Sequence, residues 1–205
     1  KIGLQNVLFC ITSTGYVDTE SADHGLYRIP GGEFHLNRCA ALLNMFLMAT
    51  YGEGQYVEAY YDQQIYLNHK LIEKKQLDLS EIQNKAADFL MQFSGVNEAY
   101  SAQRLLLGSW TPEIDLIRNG FHRKRSGDLL IEVLPGWTIV NESNPTENRI
   151  IRSAHIPVPL VFFGNSVKPE IINTPVSVGH IAPTLAHTMR IRAPNACSST
   201  PLTIR

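Results

Sequence analysis

Apolar and polar positions follow two rhythms along this 205-residue chain. Asn6 to Ile11 (NVLFCI) is apolar on both faces, the pattern of a strand buried in a parallel sheet, and Thr12-Ser13-Thr14-Gly15 ends it. A polar, acidic loop leads to YRIPGGEF, where Pro30-Gly31-Gly32 marks a turn. From Leu36 to Tyr51 the period lengthens to that of a helix, with Ala40, Leu43, Phe46 and Leu47 on one face and Gly52 and Gly54 as its stop. YVEAYYDQQIYLN alternates and is rich in aromatics, which predicts one strand or two joined at Asp62-Gln63. Asp78-Leu79-Ser80-Glu81 then reads as a capping box, with Leu77 and Ile82 placed as a hydrophobic staple. Ile82, Ala86, Phe89, Leu90 and Phe93 continue as a single apolar stripe closed by Gly95, and VNEAYSAQRLL resumes strand character. Farther on, DLLIEVLPGW and HIPVPLVFFG read as strands, the prolines of the second confined to its entry. HIAPTLAHTMRI reads as a helix with Pro183 in its first turn, where the missing N–H costs nothing.

These elements predict an α/β fold in which residues 54–116 form a small strand-helix-strand α+β subdomain. That subdomain is set into a larger sheet drawn from 1–53 and 117–205. Composition narrows the function classes only a little. The chain is 44% hydrophobic and 18% charged with formal net charge -1, so no global drive toward nucleic acid or an anionic membrane surface exists. The densest basic stretch, His122 to Arg125, reads as an exposed turn before a strand; Arg125 and the Gly127 amide could instead grip a phosphate, or Arg125 could pair with Asp128 across the turn. Three cysteines, Cys10, Cys39 and Cys197, form no CxxC, which argues against a zinc knuckle, and their odd count argues against a disulfide framework. No apolar run reaches about 18 residues, so no membrane span is predicted. The chain begins at Lys1 and enters a strand within a few residues, the look of a fragment cut from a longer protein.

The segments NVLFCIT, RIPGGEF, QIYLN, RSGDLLIEVLPGW, IPVPLVFFG and HIAPTLAHTMRIRAPN occur in this order, and together they resemble the C-terminal part of the alkaline phosphatase superfamily. The nearest likeness is to secreted bacterial phosphatases and type I phosphodiesterases. The resemblance implies a mixed sheet flanked by helices. It also implies a hydrolase of phosphate mono- or diesters with two divalent ions, zinc or manganese, about 4 Å apart, which activate a Thr or Ser nucleophile and polarise the phosphoryl group. The substrate would be a small phosphate ester, the compartment periplasmic or exported, and the nucleophile would lie upstream of Lys1.

In that resemblance an Asp-His-Gly directly follows the strand matched by Val7 to Thr12, and the positions here are Thr14, Gly15 and Tyr16. A further family ligand, a His before the PLVFFG strand, falls at or near Asn148. Thr14, Gly15 and Asn148 offer no carboxylate or imidazole, the groups that suit zinc, so the metal site they would build is degenerate. Asp23-His24-Gly25 is either a displaced ligand pair or a solvated loop pair, and the spacing to RIPGGEF fits Thr14-Gly15 better. His155 opens a strand and is a second candidate ligand. Glu33 and His35, after the Gly-Gly turn, could line a cleft at the strand ends, where α/β sheets bind ligands. Two functions follow. One is the C-terminal part of a two-metal phosphatase or phosphodiesterase, inactive as this piece alone. The other is a metal-free pseudoenzyme whose cleft serves as a binding or assembly module.

Overall fold

The computed structural model describes residues 2–3, 6–13, 31–109, 111–142, 148–152, 157–164 and 167–204, with 112–113 by backbone only. The chain divides into two compact units, Lys1–Val17 with His155–Arg205, and Asp18–Ala154. Among the described residues the elements run β1 (Leu8–Thr12), β2 (Glu33–His35), α1 (Leu36–Tyr51), β3 (Val57–Tyr61), β4 (Gln64–Leu67), α2 (His69–Lys74) and α3 (Leu79–Leu90). They continue β5 (Val96–Ser101), α4 (Ala102–Leu107), α5 (Pro112–Gly120), β6 (Leu129–Val133), β7 (Thr138–Val140), β8 (Arg149–Ile150), β9 (Leu160–Gly164) and α6 (Ile181–Thr188). The architecture is mixed α/β, with sheets flanked by helices, as the sequence pattern predicts.

The larger unit is built on an antiparallel sheet ordered β3-β4-β6-β5 and a smaller one ordered β2-β7-β8. β6 lies beyond residue 116 in the chain, and its hydrogen bonds place it between β4 and β5. β2 runs parallel to β7, and β8 antiparallel to β7. Helices α1 and α3 cover the larger sheet because each carries an apolar stripe at helical spacing. In α1 that stripe is Leu36, Cys39, Ala40, Leu43 and Leu47, all buried; in α3 it is Ile82, Ala86 and Leu90. Phe46 of α1 stacks on Phe89 of α3 at 4.3 Å between ring centroids. Asn44 fastens α1 to the sheet, its Oδ1 accepting from the amides of Tyr56 at 2.8 Å and Val57 at 3.1 Å.

The helix ends follow their capping residues. Gly52 closes α1 with φ 86°, a left-handed backbone in which glycine meets no Cβ penalty. Lys75 reaches the same end, donating from Nζ to the carbonyls of Tyr51 and Glu53 and to the Tyr56 hydroxyl. Asp78 caps α3, its Oδ1 accepting from the amides of Ser80 at 2.8 Å and Glu81 at 3.4 Å. The box predicted there is only half made. Glu81 turns outward, with Lys85 Nζ 2.8 Å from its Oε1, instead of reaching back to the cap. Gly95, at φ 89°, lets the chain pass under Trp137; a Cβ there would lie 2.4 Å from the indole.

Two expectations need correction. β1 pairs antiparallel with β9, Leu8 opposite Gly164 through Thr12 opposite Leu160, not in a parallel sheet. A run that is apolar on both faces predicts a strand covered on both sides but carries no information on the direction of its neighbour. The VNEAYSAQRLL segment is a strand only through Ser101. Ser101 Oγ accepts from the Arg104 amide at 3.1 Å, and the good helix formers Ala102 to Leu107 wind into α4. In the smaller unit, α6 spans Ile181–Thr188 after a single 3₁₀ turn, with Pro183 in its first turn as predicted.

Candidate functional site

The site-bearing residues of the larger unit sit where β2 and β7 end. β2 delivers His35 to the N-terminus of α1, and β7 delivers Asn141 and Glu142 to the connection that leads to β8. The β-branched Thr138-Ile139-Val140 suits a short strand, and its parallel register, Glu33 opposite Thr138 and His35 opposite Val140, brings both strand ends to the same side.

Glu142 is the hub. Its Oε2 accepts from Asn37 Nδ2 at 2.6 Å, and its Oε1 lies 3.1 Å from His35 Nδ1 and 3.5 Å from Arg38 Nη2. The other nitrogen of His35 lies 3.3 Å from Glu33 Oε2. His35 is thus held between two carboxylates, its side chain 16% exposed, while Glu33 faces solvent. Glu33 opens β2 and His35 closes it; neither is among the residues that line the adjoining cavity, and Glu142 carries the contact from His35 into it. Glu142 and Asn37 carry no signal in the sequence. They lie 105 positions apart, and no local pattern announces such a pair.

The cavity measures about 840 Å3. Its apolar floor is Leu36, Ile139 and Val140, and Asn37, Asn141 and Glu142 form one polar wall. The tip of the β3–β4 hairpin, Tyr60 to Gln63, also lines it, clamped by Arg149 from β8. Arg149 Nη2 donates to Asp62 Oδ1 at 2.5 Å and to Gln63 Oε1 at 2.9 Å. Asp62 and Gln63 have φ of 43° and 66°. That pair of left-handed residues matches the two-residue hairpin turn whose twist suits antiparallel strands, a turn normally built with glycine.

Asn148 is exposed, and its Oδ1 accepts from the Asn141 amide at 2.8 Å, closing the loop between β7 and β8. Thr14, Gly15, Asp23, His24 and His155 lie outside the described residues. Among the described residues no group of three or more His, Cys, Asp or Glu side chains is placed to hold a metal ion. At these strand ends His35, Glu33 and Glu142 are paired directly with one another, and the Asn148 side chain is engaged by backbone.

The other sequence candidates have structural partners. The Gly127 amide donates to Gln64 Oε1 at 2.7 Å, so it is not turned to a phosphate. Asp128 does not pair with Arg125. Its buried carboxylate accepts from the Leu67 amide, His69 Nε2 and Gln83 Nε2, each at 2.8 Å, and so ties β4, α2 and α3 to the start of β6. His122 to Arg125 form an exposed turn, the Arg125 and Ser126 amides both donating to the His122 carbonyl at 2.9 Å. His180 Nδ1 lies 2.7 Å from the Thr200 carbonyl at the start of α6. Burial pushes the Cys39 thiol up to about 11 and raises that of Cys10, as expected of small apolar groups.

The larger unit is an α/β unit with a parallel strand pair and a polar cavity beside its ends, and comparison with known proteins supplies its family. The profile described as Type I phosphodiesterase / nucleotide pyrophosphatase matches residues 21–156, and the chain belongs to that family, within the alkaline phosphatase superfamily. A protein named calcium-transporting ATPase from Myroides odoratus is 28% identical over 194 residues, 89% of this chain and 35% of that protein. Alkaline phosphatase PafA from Elizabethkingia meningoseptica is 25% identical over 193 residues, again 89% and 35%. The crystal structure of wild-type PafA superposes with a TM-score of 0.77 at 22% identity, covering 98% of this chain and 39% of the PafA chain. The fold is therefore that of PafA over this region, and the chain spans about a third of the length of the curated relatives it matches.

Proposed function

We propose that this chain is the C-terminal part of a phosphate-ester hydrolase of the alkaline phosphatase superfamily, acting on small mono- or diesters. The observation that carries the reading is the family match across residues 21–156, supported by the PafA-like fold. In this reading the nucleophile and several ligands of two divalent ions, zinc or manganese, belong to parts of the protein outside this chain, and the family ligand positions Thr14, Gly15 and Asn148 here are degenerate. When bound, such ions polarise the phosphoryl group. This chain's own contribution is the scaffold. β2 and β7 align the strand ends, the Glu142–His35–Asn37 cluster fixes the wall beside them, and Arg149 fixes the hairpin.

One observation favours a second reading. The Asn148 carboxamide, at or near a ligand position of the family, closes a backbone loop instead, which suits a metal-free pseudoenzyme that uses its cleft for binding or assembly. Elemental analysis of the full-length protein separates the two. The hydrolase reading expects about two zinc or manganese ions per chain. A full-length protein without bound divalent metal would overturn it and support the pseudoenzyme.

A further inference from the structure

The cavity between the β2/β7 strand ends and the β3–β4 hairpin has a chemistry of its own. Its volume, about 840 Å3, falls in the range of small-molecule sites. The floor of Leu36, Ile139 and Val140 is apolar, and both walls are amides and carboxylates held in place before any ligand arrives. Asn37 is fixed on Glu142, and Asp62 and Gln63 are fixed on Arg149. Binding to such walls loses little side-chain entropy.

The hairpin tip is held in place as well. Asp62 and Gln63 form the two-residue left-handed turn that joins β3 to β4, and Arg149 donates to both of their side chains. Tyr60, Tyr61, Asp62 and Gln63 all line the cavity.

Charge selects the ligand class. Among the described residues, the carboxylates of Asp62 and Glu142 are matched by Arg149 and Arg38, so the described lining offers no surplus cation to a phosphate or other anion. What the walls offer is a mixture of acceptors and donors: carboxylate oxygens, the amides of Asn37 and Gln63, and the guanidinium of Arg149. Hydroxyl groups, which donate and accept at once, are the complement of such a mixture. A ring carrying hydroxyls at its rim and C–H groups on its faces would set those faces against Tyr61, which is 68% exposed, and the apolar floor.

We propose that this cavity binds a neutral polyhydroxylated ring, the chemistry of a sugar. The assignment rests on the cavity and not on phosphate-ester turnover, so its test reads binding alone. Saturation-transfer NMR on the protein with methyl α-D-glucopyranoside as probe is expected to show transfer to the ring protons. Titration should weaken about tenfold in Asn37→Ala and in Tyr61→Ala, the loss of one well-placed contact each. Lys85→Ala, on α3 away from the cavity, should leave it unchanged, and circular dichroism checks that Tyr61→Ala, an exposed change, retains the fold. No transfer to the glucoside, or wild-type affinity in both cavity variants, overturns the proposal. So does transfer to adenosine or displacement by inorganic phosphate that the same variants abolish while the glucoside shows none.

Discussion

The four-stranded sheet of the larger unit and the β1–β9 ribbon of the smaller one are written in the same alphabet of Ile, Leu, Val and Phe, yet they use it differently. In the four-stranded sheet, inward residues such as Ile65, Leu129 and Ile131 are at most 1% exposed beneath α1 and α3. In the ribbon, Phe9, Ile11, Val161 and Phe163 form one cross-strand face, with Phe9 stacked on Phe163 at 4.4 Å, and each is at least 40% exposed within the described structure. An apolar strand becomes core only when a second layer covers it. In this chain taken by itself, removing apolar atoms should therefore cost far more in the first sheet than in the second.

The largest expected effect lies under α1. Leu43→Ala, at a fully buried position, should destabilise the protein by about 3 kcal/mol, read by chemical denaturation. Ile11→Ala in the ribbon should cost less than about 1 kcal/mol in the same assay. Equal costs would erase the contrast between the two sheets. Asp128→Ala removes the acceptor for the Leu67 amide and the Gln83 side chain, and should cost about 2–3 kcal/mol, with Asp128→Asn costing less. A neutral Asp128→Ala would mean the node does not hold β4, α3 and β6 together. Gly95→Ala forces a Cβ onto Trp137 at positive φ and should cost about 2 kcal/mol, where an ordinary surface glycine would not.

The smallest effect is the pH response of the α3 cap. Hydrogen bonds from the Ser80 side chain, and from the Ser80 and Glu81 amides, hold the Asp78 carboxyl below its usual range. A folded value below the unfolded one means that the stabilisation is complete above the unfolded pKa and lost as pH falls through the folded value. Protection factors of the Ser80 and Glu81 amides, with the intrinsic pH dependence of exchange divided out, should therefore fall on acidification in the wild type and not in Asp78→Asn.

Much of the scaffold was legible in the sequence because it is local. The α1 stripe and its Gly52 stop, the Asp78 cap, and the hairpin at Asp62-Gln63 are each decided by residues within a few positions of one another. The strand direction of β1 was not legible, since its partner lies about 150 residues away and hydrophobicity does not encode orientation. The site was less legible still. Glu33 and His35 stand out by the turn before them but do not line the cavity, whereas Glu142, Asn37 and Arg149 acquire meaning only when β2, β7 and the hairpin are brought together. The half-made capping box has the same cause: Glu81 meets Lys85 and, at 3.3 Å, the Tyr51 hydroxyl, a partner from another helix.

The central claim, a phosphate-ester hydrolase whose reacting groups lie outside this chain, is tested most directly by turnover of the full-length protein. The measurement is release of p-nitrophenol from p-nitrophenyl phosphate and bis(p-nitrophenyl) phosphate, before and after chelation. The account predicts release from at least one ester, lost on chelation and restored by zinc or manganese. No release from either ester by folded, metal-supplemented protein would contradict it.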